Sequence, residues 1–217
     1  MRERFCRFFG PELASRLEFR TINSICAGVI QYYGAQIGKT PYELESDEKV
    51  LIGILASLYQ QYEEEYPTES DLKRIKTLIT YSMLSEQEIR ELEEEAGCHL
   101  LAIYKAYCSE LKSRCCMDYD DQMVYAYRLL KSSPGLLEYY QNRYPYICVD
   151  EAQDTSKIQH EMIALLASKT ENLFLVGDED QSIYGFRAAY PEALLNFEQR
   201  HPGARVLLME ENFRSST

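Results

Sequence analysis

Asp150-Glu151-Ala152-Gln153-Asp154 is the densest group of side chains able to do chemistry in this 217-residue sequence. It follows directly on the apolar run Tyr146-Ile147-Cys148-Val149. A hard cation such as Mg²⁺ takes carboxylate oxygens and keeps several waters, and Asp150 at a strand end suits that task. The neighbouring Glu151 projects differently and can orient or deprotonate an attacking water, as metal-assisted phosphoanhydride hydrolysis requires. The same five residues equally fit an acidic loop capping the next helix, where carboxylates near the N-terminus are favourable. Taken alone, they leave both readings open.

A second cluster is Val176-Gly177-Asp178-Glu179-Asp180-Gln181-Ser182-Ile183-Tyr184-Gly185-Phe186-Arg187. A neutral Gln181 can sense a phosphate or place a water without adding charge. Tyr184 and Phe186 offer flat faces for unpaired bases, worth roughly 1–3 kcal/mol per base. Arg187 can contact phosphate or stack on a base. A surface loop with two core-facing aromatics is the plainer alternative. A third segment, Leu208-Met209-Glu210-Glu211-Asn212-Phe213-Arg214-Ser215-Ser216, sets Arg214 after an apolar run, within reach of developing phosphate charge.

The elements that must position these residues follow from periodicity. Tyr146–Val149, Leu173–Val176 and Val206–Met209 are short apolar runs ending in acids, which predicts three buried parallel strands. Between the first two, Ile158, Met162, Ile163, Leu165 and Leu166 recur as a helix, with Asp154 or Thr155 as its cap. Strand, helix, strand with acids at each carboxyl end is an α/β layer with its site along that edge. Upstream the pattern is helical: Val50, Leu51, Ile54, Leu55 and Leu58, then Leu72, Ile75, Leu78 and Ile79. Ser85 and Glu88 form a capping box. Beyond it Ile89, Leu92, Ala96, Leu100, Ile103, Tyr107 and Leu111 predict one long helix, with Glu91–Glu95 as its wetted side. Most tyrosines, Tyr104 and Tyr107 among them, fall at helical spacing and are expected to pack with their hydroxyls wet.

Composition narrows the class. The chain carries 23 Lys+Arg and 35 Asp+Glu, a formal charge of −12. Bulk acidity argues against nucleic acid, since phosphate binding wants a basic footprint. The distribution is uneven: residues 1–40 are net +3, 41–110 net −10 and 111–217 net −5. The apolar stretch Val50–Tyr59 is about half a membrane span, and no secretory signal pattern is visible. Seven irregularly spaced cysteines point to a reducing cytoplasm rather than a disulfide framework. Cys98, His99, Cys108, Cys115 and Cys116 lack the paired spacing of a zinc site. His160 and His201 have no nucleophile partner in the sequence and read as ordinary surface or helix residues.

The order and spacing of DEAQD, VGDEDQSIYGFRAA and MEENFRSS resemble the UvrD/Rep/PcrA branch of superfamily 1 DNA helicases. Met1-Arg2-Glu3-Arg4-Phe5 is similar to the end of that family's first single-strand-contacting segment. Phe19-Arg20-Thr21-Ile22-Asn23-Ser24-Ile25-Cys26 resembles its Thr-Phe-His-Ser segment, and Met117-Asp118-Tyr119-Asp120-Asp121-Gln122 its Asp-Phe-Asp-Asp segment. The resemblance implies an incomplete RecA-like P-loop NTPase core, residues 1–34 and 113–217, with an inserted all-helical subdomain over 35–112. It implies an ATP-dependent 3′–5′ helicase with ATP and Mg²⁺ as cofactors and single-stranded or partly duplex DNA as partner. The setting it implies is DNA repair or replication, as a cytoplasmic, monomeric protein away from membranes. Residue by residue, it implies that Asp150 coordinates Mg²⁺ and Glu151 is the base for water attack on the γ-phosphate. Gln153 and Asp154 would couple the nucleotide site to its neighbours, Gln181 would sense the γ-phosphate, and Arg214 would stabilise its charge. Tyr184, Phe186 and Arg187 would face single-stranded DNA, with Phe186 where the family usually has Trp. Thr21 and Ser24 would touch the DNA backbone, with Asn23 standing where the family has His.

A helicase motor also needs a phosphate loop, G-x-x-x-x-G-K-[ST]. Gly38-Lys39-Thr40 has its ending, but Tyr33 occupies the first glycine position and Ile22–Tyr33 reads as helix. The expectation is a piece of a helicase that is inactive alone. The rivals are a non-catalytic module binding single strands or a protein, and an unrelated Mg²⁺-dependent phosphohydrolase or nuclease using Asp150 and Glu151.

Overall fold

The computed structural model describes residues 1–72, 75, 90, 91, 93, 94, 98–178 and 196–208. Their helices are α1 (Arg2–Ser15), α2 (Ile22–Gln36), α3 (Glu48–Glu63), α4 (Leu100–Ser113), α5 (Tyr119–Ser132), α6 (Pro134–Arg143), α7 (Lys157–Ala167) and α8 (Phe197–Arg200). Two short parallel pairs accompany them: β1 (Glu43–Leu44) with β2 (Cys116–Met117), and β3 (Ile147–Val149) with β4 (Leu173–Leu175). The architecture is α/β, helix-rich with short parallel sheets. No described helix is long and apolar enough to cross a membrane.

Apolar spacing builds two hydrophobic clusters. The first joins Cys26, Val29 and Ile30 of α2 to Met123, Val124, Ala126 and Leu130 of α5. Leu136 and Tyr140 of α6 and Ile158, Met162 and Leu166 of α7 complete it. The second joins Leu51, Ile54, Leu55 and Tyr59 of α3 to Leu100, Ile103, Tyr107 and Leu111 of α4, with Ile75. Each of these positions on α3 and α4 lies three or four residues from another, the stripe of an amphipathic helix. Burying a leucine as fully as Leu55 contributes about 1.5–3 kcal/mol. The β1–β2 pair is the stem between the clusters: Glu43 N–H donates to the Cys115 carbonyl at 3.0 Å and Glu45 N–H to that of Met117 at 2.9 Å.

The helix starts are chemically explicit. Thr21 Oγ1 accepts from the Ser24 amide, Asp47 from Lys49, and Asp118 from Asp121, each satisfying an otherwise orphaned N–H. The cap of α7 is Ser156, one or two residues past the expected Asp154 or Thr155, and its amide donates to Gln159 Oε1 at 2.8 Å.

Three expectations are corrected. The long helix through Leu111 is interrupted at Cys98–His99, and α4 begins afresh at Leu100. Its first amides are capped by acids from elsewhere: His99 N–H donates to Glu63 Oε1 at 2.6 Å, and Leu101 N–H to Glu93 Oε1. So Glu93 serves as a cap rather than a wetted side chain. Ser85, Glu88, Ile89, Leu92 and Ala96 lie outside the described residues, as do Leu78 and Ile79. The run Val206–Leu208 forms no strand and is 61–81% exposed, because no described strand lies beside it to pair its backbone; Met209 lies outside the described residues. Tyr107 packs as expected, yet its hydroxyl is not wet: it is 1% exposed and donates to Asp118 Oδ2 at 2.7 Å.

Candidate nucleotide site

Strands β3 and β4 run parallel with Ile147 beside Leu173 and Val149 beside Leu175, so their carboxyl ends lie level. The ladder continues past both strands: Val176 N–H donates to the Val149 carbonyl at 2.9 Å, and Ala152 N–H returns to that of Val176 at 2.8 Å. This sets Asp150 and Glu151 next to Gly177 and Asp178. Both strands are half-buried rather than buried, with Cys148 and Phe174 on an open face.

Glu151 adopts φ 51, ψ 48, the left-handed region. For a residue with a Cβ this costs about 1 kcal/mol or more, so surrounding bonds must impose it. Gln153 supplies them. Its side chain, 2% exposed, donates from Nε2 to Glu151 Oε2 at 2.8 Å and accepts the Asp178 amide on Oε1 at 3.1 Å. One buried amide therefore ties the acidic end of β3 to the end of β4. Asp150 and Glu151 themselves remain exposed. Asp154 keeps its Oδ1 buried without a hydrogen-bond partner.

Below this edge, Thr155 Oγ1 donates to the Ala152 carbonyl at 2.6 Å and also contacts His160 Nε2. His160 is a helix residue of α7, but it is buried, not on the surface, and burial pulls its pKa below the ordinary value. The neutral imidazole props the turn that carries Gln153. Thr155 and His160 are N′ and N4 of α7, either side of the Ser156 cap, so the contact is local to the helix start and its five-residue spacing is a signal the sequence carried.

Thr21 and Ser24 open α2, where the Ser24 hydroxyl donates to the Thr21 carbonyl at 2.7 Å and Asn23 Oδ1 is buried with no partner. Gln181, Tyr184, Phe186, Arg187 and Arg214 lie outside the described residues. Among the described residues, no group of three or more His, Cys, Asp or Glu gathers to hold a metal. An exposed carboxylate at a strand's carboxyl end nonetheless fits Mg²⁺, which is held by one or two carboxylates plus waters and phosphate.

The Gly38-Lys39-Thr40 segment is a helix ending, as expected. Gly38 stands at φ +65, its amide returns to the Ala35 carbonyl at 3.4 Å, and the Lys39 amide returns to that of Gly34 at 2.9 Å. These bonds are a helix C-terminal cap, made at the negative end of the helix dipole. The amides that would cradle a phosphate are already spent.

The UvrD/REP helicase N-terminal domain matches residues 1–202. Two ATP-dependent DNA helicases PcrA, from Staphylococcus epidermidis and Staphylococcus aureus, are each 45% identical to the chain over 114 residues. That stretch is 52% of this chain and 16% of each relative, so the chain spans a small part of the curated proteins it matches. The chain belongs to the UvrD/REP helicase N-terminal domain family, a family of DNA helicases.

Proposed function

We propose that this chain is part of an ATP-dependent DNA helicase that translocates 3′ to 5′ on single-stranded DNA and unwinds duplexes. The observation that carries the reading is the pair Asp150–Glu151 at the end of β3, locked to the end of β4 through Gln153. Residues 1–34 and 113–217 form the RecA-like motor core in this reading, and 35–112 an inserted helical lobe. The two separate hydrophobic clusters and the β1–β2 stem support that division. The relatives' names supply ATP and DNA; the reading extends to a monomeric, cytoplasmic protein of DNA repair or replication.

Asp150 would hold Mg²⁺, which supplies charge neutralisation on the transferred phosphoryl group. Glu151 accepts a proton from the attacking water on its carboxylate, and Gln153 fixes the direction of that carboxylate by its 2.8 Å bond. Gln181 senses the γ-phosphate and Arg214 stabilises charge on it. Tyr184, Phe186 and Arg187 stack on and contact single-stranded DNA, while Thr21 and Ser24 meet its backbone. The 217 residues hold no complete phosphate loop, so ATP turnover requires one from elsewhere in the protein.

The test compares this chain with the whole helicase containing it. The chain alone is expected to show no DNA-stimulated ATP hydrolysis. In the whole helicase, Glu151→Gln should keep nucleotide binding and lose roughly 100-fold or more of DNA-stimulated turnover, the scale of a general base. Retained turnover in that variant, or turnover by the chain alone, would overturn the assignment.

A further inference from the structure

The turn between the two hydrophobic clusters holds a carboxylate pair distant in sequence from Asp150 and Glu151. Asp118 caps α5 and is fully served: Oδ1 accepts the Asp121 amide at 2.8 Å, and Oδ2 accepts the Tyr107 hydroxyl of α4 at 2.7 Å. Asp121, one turn on, is 8% exposed and keeps Oδ2 buried without any hydrogen-bond partner. An unserved buried carboxylate oxygen costs more while ionised than once protonated. Tyr107 belongs to the α3–α4 cluster and Asp118 to the cap of a core helix, so the Tyr107–Asp118 bond is a direct tie between the two.

We propose that Asp118 and Asp121 form a proton-operated catch between α4 and α5, closed when a solvent proton sits on Asp121 Oδ2 and loaded by adjacent buried negative charge when that proton leaves. The groups facing the pair from α4 are Tyr104, Tyr107, Cys108 and Lys112. From α5 they are Asp120, Tyr125 and Arg128, and Tyr42, before β1, stands edge-on to Tyr125 at 6.4 Å. The tyrosines and Cys108 stay neutral, because burial pushes all of them up. Lys112 and Arg128 oppose the repulsion without cancelling it. Burial first, and then the Asp118 charge, push the Asp121 carboxyl up to about 6, which brings the catch into a physiological range.

The test is carried out on the 217-residue chain by amide hydrogen exchange across Tyr107–Gln122, corrected for the intrinsic pH dependence of exchange. Local opening should be roughly fourfold greater at pH 7.5 than at pH 5.5, the change linkage gives for a carboxyl with pKa about 6 when closed and about 3.9 when open. Asp121→Asn should flatten that response, whereas Asp120→Asn should keep it. Carbon-13 titration of the wild-type carboxyls supplies a readout that needs no variant. A midpoint near 6 tracked by amide protection supports the catch. A midpoint near the ordinary value of about 3.9, or protection that ignores pH, overturns it.

Discussion

Gln153→Met removes both hydrogen bonds of the bridging amide while keeping its length and volume. The loss can be sized from what each bond joins. The bond to Glu151 has a charged acceptor, a class worth about 1.5–3 kcal/mol net, and the bond from the Asp178 amide is worth about 1 kcal/mol. Glu151 and Asp178 are both exposed, so water replaces the lost partners and no buried-group penalty is added. The buried thioether returns about 1 kcal/mol of hydrophobic gain. The net cost is then about 2 kcal/mol, a fall of roughly 4–8 °C in Tm for a chain of this size. Gln153→Glu should cost more, because it replaces the donor with a carboxylate set against Glu151. That extra cost should shrink below about pH 5 as the introduced group protonates. Urea denaturation followed by far-ultraviolet circular dichroism gives both numbers, provided the m-value is unchanged. A Met variant within about 0.5 kcal/mol of wild type would refute the bridge, and a Glu variant as stable as the Met variant would refute its electrostatic part.

Three further outcomes are expected. Gly38→Ala should destabilise by about 1 kcal/mol through its positive φ alone, since a Cβ there meets nothing within 4 Å. Gly34→Ala should cost more, against the usual gain from alanine in a helix, because its Cβ would lie 2.7 Å from the Lys39 carbonyl oxygen; urea midpoints of the two variants check the order. His160 is held neutral by burial, so the unfolded chain binds its proton more readily. Its contribution is complete above the ordinary pKa of about 6.5 and is lost as pH falls below it; in His160→Gln, Tm should change less between pH 7.5 and 5.5 than in wild type.

Local patterns were legible wherever one face of an element does the burying. Leu51, Ile54 and Leu55 announced α3, and Ile158, Met162 and Leu166 announced α7. The run ending at Val149 announced β3 one residue early, and the acidic turn after it was visible as a strand end with chemistry attached. Periodicity failed where its rule is blind. The apolar stripe keeps its spacing on both sides of Cys98–His99, so it cannot report that the backbone bonds stop there and that Glu63 and Glu93 take over. A strand, unlike a helix, borrows its hydrogen bonds from a neighbour, so Val206–Leu208 has strand composition without being a strand. The Gln153–Asp178 and Tyr107–Asp118 bonds join separate elements and come from tertiary packing. The acidic turn after β3 stood out in the sequence, while the bonds that hold it did not.

The charge balance is a weak guide for a related reason. A formal −12 argues against a nucleic-acid partner only if the charge is spread evenly and free to act at the surface. It is neither. The excess acid lies in residues 41–110, where Glu63 and Glu93 cap the first turn of α4 and Asp47 caps α3. Carboxylates bound to helix amides are structural, and their field is partly cancelled by the dipoles they cap. The basic excess lies in residues 1–40, where Arg2, Arg4 and Arg7 stand exposed on α1 beside the exposed rings of Phe8 and Phe9. Exposed cations next to aromatic faces are the local signature that a strand of bases requires, whatever the rest of the chain carries. Screening limits each field to about 10 Å in ordinary salt, so such a surface answers to its own neighbours and not to the sum over the molecule.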